Sequence, residues 1–181
     1  MKKVIILLAV SMWAVSSMAQ FTNASLKAAG LTCSMCSKAV KKALEDVAFV
    51  QEVKVDIKTQ EYNLVFKESA DVEFDVLKKA VEDAGFSVAS LKVTGSFPEV
   101  HVKKDSHVKA HGRNFHFLNG NGQALRGEQT LTLVDKDFLS DKDYKKHSSV
   151  SKLECVKTGK TGSCCEKEGM GAGERVYHVV I

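Results

Sequence analysis

Gly30-Leu31-Thr32-Cys33-Ser34-Met35-Cys36-Ser37-Lys38-Ala39-Val40-Lys41-Lys42-Ala43-Leu44-Glu45-Asp46-Val47 is the stretch on which the reading of this chain turns. Gly30 closes an apolar run and a helix opens at once, because Ala39, Val40, Ala43, Leu44 and Val47 recur at the spacing of one buried face. Thr32 and Ser34 both have side chains able to cap its first turn. Cys33 therefore belongs to the loop and Cys36 to the helix start. Unpaired backbone N–H groups and the positive end of the helix dipole favour thiolate there. Two soft thiolates suit a thiophilic ion, Cu(I) first, with Zn(II) or Hg(II) behind it.

Three other uses of Cys-x-x-Cys compete: a structural disulfide, a redox dithiol, and half of a closed zinc site. A closed site wants four ligands in nearby pairs, and no further cysteine occurs before Cys155. A thioredoxin-type site also opens a helix with this motif. By analogy with that fold a proline should face the dithiol, and the single proline, Pro98, lies beyond the first expected domain.

Working outward, Phe21 to Ala29 reads as a strand, with Ala24, Leu26 and Ala28 alternating against polar residues. Downstream, Val53, Val55 and Ile57 alternate with Lys54, Asp56 and Lys58, and Tyr62, Leu64 and Phe66 form the next strand after a turn too short for a crossover. A second helix carries Val76, Leu77, Ala80, Val81 and Ala84, has Asp71 or Asp75 near its positive end, and stops at Gly85. Ser87 to Thr94 is a fourth strand. The order strand, helix, strand, strand, helix, strand predicts a ferredoxin-like α+β domain: one antiparallel sheet with both helices on the same face.

Gly30-Leu31-Thr32-Cys33-Ser34-Met35-Cys36, followed by that order and ending in Glu82-Asp83-Ala84-Gly85-Phe86, resembles the heavy-metal-associated domain of copper chaperones, copper-transporting ATPases and periplasmic mercury-binding proteins. The resemblance covers residues 21–95. It implies that Cys33 and Cys36 are the metal ligands. Leu31 stands where the family usually has a methionine that packs under the loop. Phe86 matches the position whose side chain approaches that loop, and an aromatic there resembles the bacterial copper and mercury members. Thr32 replaces the aspartate of zinc-exporting members, which tilts the expectation toward Cu(I). Met35 is expected to be loop surface.

Lys2 and Lys3 precede an apolar run from Val4 to Val15, and Ser17-Met18-Ala19 offers small residues at a cleavage site. That pattern is a secretory signal peptide with cleavage expected after Ala19, too short for stable membrane insertion. It places the protein in the periplasm or outside the cell. Without Lys2 and Lys3 the formal charge falls from +4 to +2. Such a small, evenly mixed charge argues against nucleic acid as a partner.

Beyond Thr94 the texture changes. Gly95-Ser96-Phe97-Pro98 reads as a linker, and residues 97–181 as a small mostly-β domain, a barrel or sandwich. Its short β-like runs are Val100 to Lys103, Asn114 to Leu118, Gln129 to Asp135, Ser151 to Lys157 and Glu174 to Ile181, with a turn signal at Asn119-Gly120-Asn121-Gly122. Asp137 to His147 is either one short helix or a loop. His101, His107, His111 and His116 cluster without metal-site spacing, apart from His107 and His111, and are expected on solvated strands and loops. A disulfide from Cys155 to Cys164 or Cys165 is expected, with a second thiolate site as the alternative. Gly159-Lys160-Thr161 lacks the lead-in and helix of a phosphate loop.

The sequence thus predicts a non-enzymatic, exported metal-binding protein. It would hold a soft ion between Cys33 and Cys36 for transfer to, or receipt from, a partner with thiolate ligands, or for sequestration. The alternative is a periplasmic dithiol–disulfide oxidoreductase using the same pair.

Overall fold

In the computed structural model, residues 20–166 and 168–181 are described, so the expected signal peptide at 1–19 lies outside the described residues. Strand β1 (Phe21–Ala29) leads to helix α1 (Ser34–Glu45), the hairpin β2 (Val50–Asp56) and β3 (Glu61–Phe66), helix α2 (Phe74–Asp83) and strand β4 (Ser87–Lys103). The ferredoxin-like order is therefore present. Val40 and Leu44 of α1 and Phe74, Leu77 and Val81 of α2 are buried against Leu26, Leu64 and Leu91 of the sheet. Ala39 and Val76 are exposed, so each buried stripe is narrower than the sequence pattern. Ile57 falls beyond β2 and is also exposed. Gly85 follows α2 with φ +87°, the left-handed conformation expected of a residue ending a helix.

The expected linker is strand. β4 runs unbroken through Gly95-Ser96-Phe97-Pro98, and its far side pairs antiparallel with β7 (Asn121–Leu133) along nearly its whole length. Proline cannot donate to a ladder and is tolerated where pairing is interrupted. The register slips between Phe97 and Val100, so Pro98 sits in a bulge. Gly95 has a steric reason to be glycine: a Cβ there would lie 2.8 Å from Phe21 Cδ1 and 2.9 Å from the Gln20 carbonyl oxygen.

The C-terminal half is mostly β, and its strands extend the first sheet instead of forming a separate barrel or sandwich. β5 (Ser106–Ala110), β6 (Arg113–Phe117) and β8 (Val176–Val180) complete the order β2-β3-β1-β4-β7-β8-β6-β5, with β6 and β8 parallel. The Asn119–Gly122 turn joins β6 to β7, which are not neighbours. Between β7 and β8 lie a 3-10 turn (Lys136–Phe138) and helices α3 (Asp141–Ser148), α4 (Cys155–Thr158) and α5 (Ser163–Glu166). The run read as strand over Ser151–Lys157 is thus partly helix.

Alternation along β6 and β8 gives the sheet two covered faces here. Phe115, Phe117, Tyr177 and Val179 join the core beneath α1 and α2, where Phe74 contacts Tyr177 with ring centroids 5.0 Å apart. Val176 on the opposite face packs with Leu118, Val134, Cys155, Val156, Cys165 and Met170 in a second, smaller core. The boundary expected at residues 95–97 therefore falls inside one strand and beside one continuous core. Arg175 and Asp75 also tie β8 to α2, the guanidinium Nε donating to Oδ2 at 3.1 Å.

Candidate metal site

Cys33 is itself the residue that caps α1, in place of the expected Thr32 or Ser34. Its backbone is extended (φ −150°, ψ 163°), and its sulfur accepts a hydrogen bond from the Cys36 N–H at 3.3 Å. Using a sulfur as the cap brings the two cysteines together: Cys33 Sγ and Cys36 Sγ are 2.7 Å apart, both as free thiols. Cys33 is exposed and Cys36 half-buried. The contact with Cys33 holds the Cys36 thiol below the usual thiol range, helped by the hydroxyl of Thr32. The pair thus presents one accepting and one readily ionised sulfur at an open helix start.

The loop is supported from below. Leu31 and Phe86 are half-buried against the main core. Gly30, at φ +85°, brings the backbone so near Phe86 that a Cβ there would touch its ring at 3.8 Å. Tyr62 anchors the first turn of α1 by donating its hydroxyl to the Ser37 carbonyl at 3.3 Å. Met35 is 70% exposed, so it is loop surface as expected. Beside the sulfurs lies an open groove of about 790 Å³, lined by Leu31, Cys33, Lys38, Lys41 and Val55 among others.

The family model of the heavy-metal-associated domain matches residues 25–87. Over 86 residues the chain is 36% identical to the mercuric transport protein periplasmic component of Serratia marcescens, an alignment covering 48% of this chain and 93% of that protein. The chain belongs to the heavy-metal-associated domain family. Copper-transporting ATPase 1 of Rhizobium meliloti is 32% identical over 76 residues, 42% of this chain but only 9% of the ATPase. Among solved structures, oxidized MerP from Ralstonia metallidurans is 34% identical, with 38% of this chain and 97% of that one covered and a TM-score of 0.34. The match to the family model ends at residue 87, so the long arm of β4 and the described elements after it lie outside that match.

The residues beyond the match overturn two expectations. His101 is exposed, but His107 and His116 are buried, and His111 packs between the rings of Phe21 and Phe97. Cys155, Cys164 and Cys165 are all free thiols. His107 Nε2 lies 3.7 Å from Cys155 Sγ and 3.2 Å from Cys165 Sγ. His178, which belongs to no sequence motif, is buried beside His116 with ring centroids 5.1 Å apart. Alternation alone signalled it, since Val176, His178 and Val180 share one face of a strand.

Proposed function

We propose that the protein carries a thiophilic ion, Cu(I) in the first instance, between Cys33 and Cys36, and exchanges it with a partner that offers its own thiolates. The observation that carries this reading is the convergence of two free sulfurs, 2.7 Å apart, on an exposed helix start. Thiolates select soft ions, and Thr32 supplies no carboxylate to favour a harder one. Exchange would proceed by addition before departure: an incoming thiolate bonds to the ion, and the bond to Cys33 or Cys36 then breaks. The departing sulfur remains a thiolate or takes a proton from solvent, and no electron is transferred. The exposure of Cys33 leaves room for that attack, and the groove beside it offers the partner a docking surface.

Relatedness to a mercuric transport protein periplasmic component supports export and a place outside the cytoplasm, and keeps Hg(II) as the next ion to try. Among the described residues no helix is long and apolar enough to cross a membrane.

The test is competition for Cu(I) against a chromophoric chelator, run on the wild type and on Cys33→Ser/Cys36→Ser. Tight binding should vanish in the double variant while its circular dichroism is unchanged, because both side chains lie outside the core. Unchanged affinity would remove the site from these residues. A low-pKa dithiol at a helix start also suits thiol–disulfide exchange. Insulin reduction at catalytic concentration, with alkylation of Cys33 and Cys36 indifferent to Cu(I), would assign the pair to redox chemistry instead.

A further inference from the structure

Strand register places three histidines in one row. His107 on β5 is the cross-strand partner of His116 on β6, and His116 is the partner of His178 on β8. All three face away from α1 and α2, toward Cys155 and the second core. The rings of His107 and His116 stack with centroids 4.3 Å apart and an interplanar angle of 6°. Each imidazole has a carboxylate on one nitrogen. His107 Nδ1 is 3.5 Å from Glu168 Oε2, His116 Nε2 is 3.2 Å from Asp105 Oδ1, and His178 Nδ1 is 2.6 Å from Asp135 Oδ1.

The other nitrogen of each ring is left for something else. His107 Nε2 and His116 Nδ1 both approach Cys155 Sγ at 3.7 Å. His178 Nε2 is buried with no hydrogen-bond partner. A buried ring nitrogen without a partner is costly unless something occupies it. A carboxylate on the outer nitrogen is the usual way a metal-bound imidazole is oriented and made more basic. Here that arrangement occurs at His116 and His178, while Glu168 accepts from the His107 backbone N–H at 2.7 Å and stands beside its ring, all around one sulfur.

We propose that His107, Cys155, Cys164 and Cys165 form a second metal site, closed around a resident Zn(II)-class ion and separate from the Cys33–Cys36 pair. Their ligand atoms all lie within 4.8 Å of one another. A tetrahedral zinc site with Zn–S near 2.3 Å needs sulfur atoms about 3.8 Å apart, and Cys164 Sγ and Cys165 Sγ stand at 3.4 Å. Three thiolates and one imidazole make a full coordination shell, the pattern of sites that hold an ion without exchanging it. Burial agrees: His107, Cys155 and Cys165 are buried and only Cys164 is half-exposed. The ion would fasten α4 and α5, which otherwise hold only a turn each, to the row of histidines on β5 and β6. His116 and His178 meet Cys155 from the other side as a three-ligand set. A second ion there would share the Cys155 sulfur with the first.

The test uses the full chain with Cys33→Ser and Cys36→Ser, so that the exposed pair contributes nothing. The protein is reduced, stripped with chelator and reloaded with Zn(II) alone, then read by native mass spectrometry and by chelator competition. One or two retained equivalents are expected. Adding Cys164→Ser, at the half-exposed ligand least able to disturb the core, should weaken binding on the order of 100-fold or more, and Glu168→Gln by roughly 10- to 100-fold. Cys155→Ser should abolish binding, and should that variant fail to fold, Cys164→Ser decides. Retention of no zinc overturns the proposal, as does affinity unchanged by Cys164→Ser. A disulfide joining any two of Cys155, Cys164 and Cys165 in protein isolated without reductant also overturns it.

Discussion

Phe115→Ala should destabilise the whole chain, including helices that lie far from it in sequence. Phe115 is on β6, in the half beyond the family match, and is fully buried. Its ring lies 6.0 Å from Phe21 and 6.4 Å from Phe74, both in the family-matched half or its flanking strand, and 6.5 Å from Phe97 and 6.2 Å from Tyr177. Losing a buried phenylalanine forfeits about 1.5 to 3 kcal/mol of transfer energy, and a cavity between two rigidly packed layers adds to that. The sum is about 3 to 5 kcal/mol, a large share of the 5 to 15 kcal/mol that holds a typical domain together. Urea unfolding followed by hydrogen exchange and mass spectrometry would read both halves of the chain in one experiment. Peptides from α1 and α2 should lose protection in step with peptides from β6 and β8. Phe115→Leu, which refills much of the volume, should recover most of the loss. Wild-type protection of α1 and α2, with only residues beyond 97 opening, would refute this coupling. That outcome would restore two independently folding units with a boundary near Gly95.

Three further outcomes follow from other contacts. Gly95→Ala should cost about 1 to 3 kcal/mol in urea unfolding, because the new methyl meets the Gln20 carbonyl and the Phe21 ring; a change below about 0.5 kcal/mol would mean the position behaves as a linker. Asp75→Ala should cost about 1 to 2 kcal/mol, since it removes acceptors for Arg175 Nε and the Tyr177 hydroxyl on a partly exposed link; an unchanged midpoint would show that this link adds nothing. At neutral pH, iodoacetamide should label Cys36 well before Cys155, because contact with Cys33 favours the Cys36 thiolate whereas burial pushes the Cys155 thiol up. The Cys36 advantage should shrink as pH rises through the ordinary thiol range, and peptide mapping that finds Cys155 labelled first would contradict both assignments.

The first half of the fold was legible because its signals are local. Val40 and Leu44, Leu77 and Val81, and the alternation of β1 to β3 are periodicities within single elements, and Gly85 marks a helix end by its own conformational need. The Cys33–Cys36 pair was legible for the same reason, although the sulfur cap was not, since hydroxyl groups are the usual choice. The second half hid because its determinants are pairings. Gly95 and Pro98 have the composition of a linker, yet one makes room for Phe21 and the other occupies a bulge opposite β7. His107, His116 and His178 have no motif spacing. Only the registers of β5 with β6 and of β6 with β8 align them, and Cys155 reaches them from a chain distance of 48 and 39 residues.

The length of β4 has a consequence for how copies of this protein meet one another. In a four-strand sheet ordered β2-β3-β1-β4, the outer side of β4 would be a row of unpaired N–H and C=O groups, an invitation to strand addition by another chain. Here β7 fills that row from Leu91 to Lys103. Among the described residues β2 remains one margin of the sheet and the other moves from β4 to β5, and both are short. β2 is bulged near Val50 and carries exposed Glu52 and Lys54, while Lys109 lies on β5 and Lys103 and Lys104 stand just before it. Charge and irregularity at both margins discourage aggregation through the sheet. Shortening β7 would reopen the longest adhesive edge in the molecule.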